Sequence, residues 1–241
     1  MDRAGLVTGT LHWRRGKDST DDRPYGETIG FGKRRDGGTG YMSYSSRVGP
    51  GVLLLHEFFG LTGSFREYAD ALNDAGFTVL APDLYDGRVA SSVDEATEMM
   101  HSLDPDRVIA QLHAASEHLT SNWHPRLGVV GFSLGAGYAT RLAQELPLDA
   151  TVLYYGMADI DPVRWHGPLL GHFAEIDEWE SLPEVELAFD GLVRAGVDAE
   201  LIVHPGTGHW FANPAVIASY NPPAAKAAWD TTVDFLTHHL A

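Results

Sequence analysis

The chain has 241 residues, 44% of them hydrophobic, which suits one packed core and excludes wholesale disorder. Its 33 acidic against 17 basic side chains give a formal charge of −16, a field that repels nucleic acid and anionic membrane surfaces and disfavours a strongly anionic substrate. With no cysteine, a disulfide framework, Cys-ligated metal centres and a thiol nucleophile are all excluded.

The 12 histidines are scattered without a zinc-ligand spacing, and His238-His239 is read as an exposed helix end. No metal and no cofactor are expected. Met1 to Arg15 lacks the apolar stretch of a secretion signal. The longest apolar run, Val52 to Leu55, falls far short of the roughly 20 residues that a membrane span requires. The expectation is a cytoplasmic protein, a monomer or small homo-oligomer, whose partner is a small molecule rather than nucleic acid or membrane.

Residues 1–25 are rich in Gly, Arg and Asp without a clear period and are set apart as an N-terminal extension, leaving 26–241 as a single domain. Thr28 to Phe31 and Tyr41 to Ser45 are expected as short strands flanking the turn Asp36-Gly37-Gly38. Gly51 to His56 is a buried-strand run. Ser64 to Ala75 follows with helical spacing (Phe65, Tyr68, Ala69, Leu72) and stops at Gly76. Phe77 to Leu84 is the next strand. Ser92 to Leu103 and Asp106 to Thr120 are helices split by Asp104-Pro105. Leu127 to Phe132 is a strand, and Leu134 to Glu145 is a helix ended by Pro147. Ala150 to Tyr155 and Leu169 to Ala174 are strands, and Leu182 to Ala195 is a helix that ends at Gly196. Ala199 to His204 is the last strand and Ala224 to Leu240 the last helix. Strands alternating with helices of this length specify an α/β fold with a mostly parallel central sheet, helices on both faces and no large cap domain. Such sheets carry their sites at the carboxyl ends of the strands.

One segment at such an end bears chemistry. Gly131-Phe132-Ser133-Leu134-Gly135 reads G-x-S-x-G, with the apolar strand Leu127 to Val130 before it and a helix-forming stretch after it. That context is the strand–turn–helix of an α/β-hydrolase nucleophile, in which a tight turn lifts the serine above the sheet. Glycines at the flanking positions let strand and helix approach closely. A serine hydroxyl needs a base, and the chain order of this fold is Ser, acid, His. His209 follows the last strand in Pro205-Gly206-Thr207-Gly208-His209. Asp177 lies just past the strand Leu169 to Ala174 and is the favoured acid, with Glu175, Glu178 and Glu180 as rivals. Its role would be to orient the imidazole and stabilise the imidazolium. The backbone N–H of Leu134 and of Phe58, in His56-Glu57-Phe58-Phe59-Gly60, are the expected oxyanion donors.

Five stretches together resemble the dienelactone hydrolase family: His56 to Gly60, Ala81-Pro82-Asp83-Leu84-Tyr85, Gly131 to Gly135, Tyr154-Tyr155-Gly156, and Gly208-His209-Trp210-Phe211-Ala212. The resemblance spans roughly residues 28–240. It implies cofactor-free hydrolysis of an ester or lactone on a compact α/β-hydrolase. It also implies a role for Glu57, because the family's glutamate at this point lies beside the nucleophile and takes part in activating it. Three departures stand out. The usual cysteine nucleophile is Ser133. The arginine that dienelactone-cleaving members carry four residues after the histidine, gripping a substrate carboxylate, is Asn213. The arginine two residues past their Pro-Asp-Leu-Tyr segment is displaced to Arg88, which either reaches the site or is a solvated loop charge. A neutral ester is therefore expected over dienelactone. Phe58, Phe59, Tyr85, Trp210 and Phe211 are candidate pocket walls, Trp210 foremost.

The function expected is a serine esterase that forms an acyl-enzyme on Ser133. The alternatives are a non-catalytic small-molecule binding protein on the same fold, and an acyltransferase or perhydrolase using the same triad.

Overall fold

The computed structural model of the chain describes residues 26–33, 36–44, 49–122 and 124–241. The expected extension over 1–25 lies outside the described residues. Fourteen elements alternate along them. They are β1 (Gly26–Phe31), β2 (Gly38–Ser43), β3 (Gly51–Leu55), α1 (Gly63–Asp74), β4 (Thr78–Pro82), α2 (Val93–His101) and α3 (Pro105–Asn122). Then come β5 (Leu127–Phe132), α4 (Leu134–Ala143), β6 (Ala150–Tyr154), β7 (Leu169–Ala174), α5 (Leu182–Arg194), β8 (Ala199–His204) and α6 (Pro222–Leu240). The strands form one eight-stranded sheet in the order β1-β2-β4-β3-β5-β6-β7-β8. Only the β1–β2 and β2–β4 pairings are antiparallel; the rest are parallel.

The strands at the centre are apolar on consecutive residues because both sheet faces are covered. Side chains alternate between faces. Leu53, Leu55, Val129, Leu153, Leu169 and Phe173 enter the core shared with α3, α4 and α5. Val52, Leu54, Val130, Phe132, Val152, Tyr154 and Leu170 enter the core shared with α1 and α6. A one-residue slip of β3 would exchange its two apolar sets without exposing either, so its register rests on ladders to both neighbours, including Gly51–Leu127 and Leu55–Gly131.

Element ends have local causes. α1 stops where Gly76 adopts φ 110°, with Ala75 and Gly76 donating back to Ala71 and Asn73 carbonyls. β4 ends at Pro82, before the expected Leu84, because the Asp83 carboxylate accepts the N–H groups of Tyr85 (3.0 Å) and Gly87 (2.8 Å) and turns the chain. β6 ends at Tyr154 because Tyr155 has φ 36°, outside the extended region. α6 begins at Pro222 rather than Ala224. Asn221 caps it by accepting from the Ala224 N–H (3.2 Å), and prolines at the first turn remove no needed donor. β2 begins earlier than expected, since pairing with β1 runs to Phe31–Gly38; Ser45 lies outside the described residues.

A polar chain crosses the core on the α1/α6 face. The His172 ring nitrogens contact His204 Nε2 (3.2 Å) and Thr232 Oγ1 (3.1 Å), Thr232 meets Tyr154 Oη at 2.7 Å, and Tyr154 meets Tyr68 Oη at 3.2 Å. Burial, with His204 beside it, pushes the His172 imidazole down to about 3. The ring is thus neutral in the fold, whereas an unfolded histidine takes up a proton below about pH 6.5. Stability from this ring is complete above that pH and is lost as pH falls towards 3. Relative to His172→Gln, the unfolding equilibrium constant of the wild type is expected to rise about tenfold for each pH unit of acidification between pH 6 and 4. Urea melts at three pH values check this; parallel pH dependences of the two proteins would contradict it.

Candidate active site

Ser133 joins β5 to α4 with φ 49° and ψ −112°, a conformation that costs a non-glycine residue about 1–3 kcal/mol. Two hydrogen bonds hold the turn: Ser133 N–H to the Tyr154 carbonyl (2.9 Å) and Gly137 N–H to the Ser133 carbonyl (3.1 Å). The flanking glycines are needed for space. A Cβ on Gly131 would stand 2.5 Å from the Gly135 carbonyl oxygen, and one on Gly135 would stand 2.4 Å from that of Leu55. Neither obstacle can move, because both are backbone of core elements.

The other expected residues arrive at the carboxyl ends of neighbouring strands: Glu57 and Phe58 after β3, Asp177 after β7, His209 after β8. Ser133 Oγ lies 2.9 Å from His209 Nε2. His209 Nδ1 lies 2.9 and 3.1 Å from the two Asp177 carboxylate oxygens. Asp177 Oδ1 also accepts the N–H groups of Trp179 (2.8 Å) and Glu180 (3.2 Å), which fix the carboxylate. The His209 and Asp177 side chains are 5% and 2% exposed, so their contact is shielded from solvent. With the carboxylate accepting from Nδ1–H, Nε2 is left as the acceptor for the serine hydroxyl. The rival acids point elsewhere. Glu175 accepts from Gly206 N–H and is exposed, and Glu178 is exposed. Burial raises the Glu180 carboxyl to about 7, with Asp177 adding to the shift.

The N–H groups of Phe58 and Leu134 donate to no acceptor among the described residues. Leu134 opens α4, where the first N–H groups have no intrahelical partner and carry the positive end of the helix dipole. Phe58 sits on a loop pinned by His56. That ring accepts the Leu84 N–H at Nε2 (3.1 Å), so its proton is on Nδ1, which donates to the Glu57 carbonyl (2.7 Å). Burial lowers the His56 pKa and keeps the ring neutral.

Glu57 is fully buried. Its Oε1 accepts from Asn213 Nδ2 (2.6 Å) and its Oε2 from Tyr155 Oη (3.4 Å). No hydrogen bond joins it to Ser133 among the described residues. It is one neighbour removed from the base, through the Tyr155 ring, whose centre is 5.0 Å from that of His209. Burial pushes the Glu57 carboxyl up to about 8, against the opposing effect of its two donors.

Two of the candidate substrate-binding side chains lie away from the relay. Phe211 is fully buried between Tyr155 (5.5 Å) and His204 (4.6 Å), a core side chain and not a pocket wall. Arg88 is exposed, and no hydrogen bond or ion pair among the described residues draws its guanidinium inward. Tyr85 is buried with its ring 5.3 Å from His56. Phe58, Phe59 and Trp210 pack together in one cluster that Leu134 also touches. Trp179, whose ring is 6.0 Å from His209, is not among the expected site residues. A large aromatic two residues past the acid is the signal in the sequence that points to it. A groove of about 690 Å³ between His113, Glu117, Pro147 and Asp149 has none of Ser133, Asp177 and His209 in its walls.

The sequence pattern of the dienelactone hydrolase family matches residues 39–240. Protein usf of Aquifex pyrophilus is 30% identical over 229 residues, covering 89% of this chain and 99% of that protein. A carboxymethylenebutenolidase of Rhodococcus opacus is 27% identical over 222 residues, covering 83% and 86%. Among solved structures, a dienelactone hydrolase-like promiscuous phosphotriesterase from metagenomic libraries superimposes with a TM-score of 0.80 at 20% identity, covering 90% of this chain and 98% of that one, a likeness of fold. The chain thus belongs to the dienelactone hydrolase family, hydrolases of ester and lactone bonds.

Proposed function

We propose that the protein is a serine carboxylesterase that cleaves a small, uncharged ester or lactone through an acyl-enzyme on Ser133. The observation that carries this reading is the continuous hydrogen-bonded line from Ser133 Oγ through His209 to Asp177. His209 takes the hydroxyl proton as Oγ attacks the carbonyl carbon, and the N–H groups of Leu134 and Phe58 receive the oxyanion. His209 then gives the proton to the leaving oxygen as the carbon–oxygen bond breaks. Water, deprotonated by the same imidazole, releases the acid and restores Ser133.

Preference for an uncharged substrate follows from what surrounds the relay. Asn213 stands where the family's carboxylate-gripping arginine would be, and it is buried and committed to Glu57. Arg88 is exposed, and the chain carries a formal charge of −16. An anionic ester would therefore meet repulsion without a fixed cation beside it.

Glu57 is assigned a positioning role. Held neutral near pH 7, it braces Tyr155 and Asn213 behind the histidine and does not act as a base on Ser133.

Two outcomes are expected. Ser133→Ala should lower turnover of p-nitrophenyl butyrate at least about 10³-fold, and the wild type should show a higher kcat/KM for that ester than for mono-p-nitrophenyl succinate. Equal turnover by wild type and Ser133→Ala would remove Ser133 from the chemistry and favour a binding role for the site. The second outcome concerns Glu57. Its carboxyl is protonated in the fold up to about pH 8 but ionised in the unfolded chain above about pH 4.5, so its contribution to stability falls as pH rises between these values and levels off above 8. The unfolding equilibrium constant of the wild type should rise about tenfold per pH unit relative to that of Glu57→Gln from pH 5 to 8. Chemical denaturation across that range measures it.

A further inference from the structure

Among the described residues the imidazole of His209 has three aromatic neighbours, and they differ in access. Tyr155 (5.0 Å) is fully buried, and Trp210 (4.8 Å) is half-buried. Trp179 (6.0 Å) is 54% exposed although it is one of the largest apolar side chains in the protein. Its indole makes no hydrogen bond among the described residues, so only ring contacts hold it. Those contacts form a triangle: Trp179 lies 5.8 Å from Trp210 and 6.0 Å from Phe58, meeting both at steep angles, while Phe58 and Trp210 are stacked at 5.7 Å with planes 14° apart.

Two further features of Trp210 set it apart from a packing residue. Its backbone has φ 64°, the left-handed region that a bulky residue enters at a cost. Its Nε1–H is buried without an acceptor, as are Thr78 Oγ1, Tyr85 Oη and Thr151 Oγ1 among the described residues, and of these four only Trp210 has its ring against the His209 imidazole. A strained backbone and an unpaired donor thus belong to the residue whose ring flanks the base.

The leaving oxygen must receive its proton from His209 Nε2, so the leaving group passes along the imidazole. The flank open to solvent is the Trp179 flank. We propose, on the basis of the esterase reading above, that Trp179, Trp210 and Phe58 form a stacking subsite for a planar, uncharged aryl leaving group. The exposed indole of Trp179 forms its outer wall. In the step served, the bond from Ser133 Oγ to the acyl carbon forms and the bond from acyl carbon to aryl oxygen breaks. The phenol leaves with the proton that His209 took from Ser133. An aromatic face selects flat partners over saturated rings of the same size, because stacking requires a second π-face.

The test compares phenyl acetate with cyclohexyl acetate, matched in size but not in planarity. In Trp179→Ala the ratio of their kcat/KM values should fall about 3- to 10-fold from the wild-type ratio, and Trp179→Phe should restore most of it. An unchanged ratio in a Trp179→Ala protein with wild-type circular dichroism would overturn the subsite. If neither ester is turned over faster than by Ser133→Ala, the esterase reading fails and the subsite is judged separately. Saturation-transfer NMR with phenol and cyclohexanol should then show phenol contact in the wild type that Trp179→Ala loses. Equal phenol saturation in both proteins would overturn it.

Discussion

The tight turn at Ser133 is the constraint on which the rest of the site depends. A residue at φ 49° between β5 and α4 cannot relax without breaking the bond to Tyr154 or moving α4 off the sheet. The cost of about 1–3 kcal/mol is offset by packing on both sides. Leu55 and His56 carbonyls approach Gly135 where a side chain would collide, so β3, β5 and α4 form one tight joint. From that joint the hydroxyl is raised above the strand ends, and the first N–H groups of α4 stay unpaired beside it. Ser133 and the Leu134 N–H, the proposed nucleophile and oxyanion donor, therefore share a single structural cause.

Around this joint the buried polar groups form orienting pairs. His56 ties the end of β3 to the turn after β4 and thereby sets the Phe58 loop. Asp177 is held by two backbone N–H groups before it meets His209. Glu57 and Asn213 link the loops after β3 and β8. Each pair removes a freedom that a reacting geometry would otherwise have to fix, which is how preorganised sites reduce the cost of reaching the transition state. The Glu57 oxygens likewise face donors of the scaffold, Asn213 and Tyr155, and not the serine.

Much of this is legible in the amino-acid sequence. The five parallel strands from β3 to β8 other than β4 stand out because runs such as Gly51 to Leu55 and Leu127 to Phe132 are apolar on both faces, and Gly76 marks the end of α1. Ser133, Asp177 and His209 can be picked out because G-x-S-x-G and the order of the strand ends constrain them jointly. What escapes depends on contacts between distant segments. Nothing in Tyr155 signals a positive φ that ends β6 early. The Asn213–Glu57 bond spans 156 residues, so the sequence shows that an arginine is missing but not what the asparagine does. Phe211 and Trp210 are adjacent and equally aromatic, yet the strained backbone at Trp210 sends one into the core and leaves the other by the base.

The central claim is that Ser133 is an activated nucleophile backed by His209 and Asp177. Its most direct test is covalent: treat the protein with a fluorophosphonate and map the modified peptide by mass spectrometry. The account predicts a single adduct on Ser133 that is absent when His209 is replaced by alanine. No adduct, or an adduct on another residue with Ser133 untouched, would contradict it.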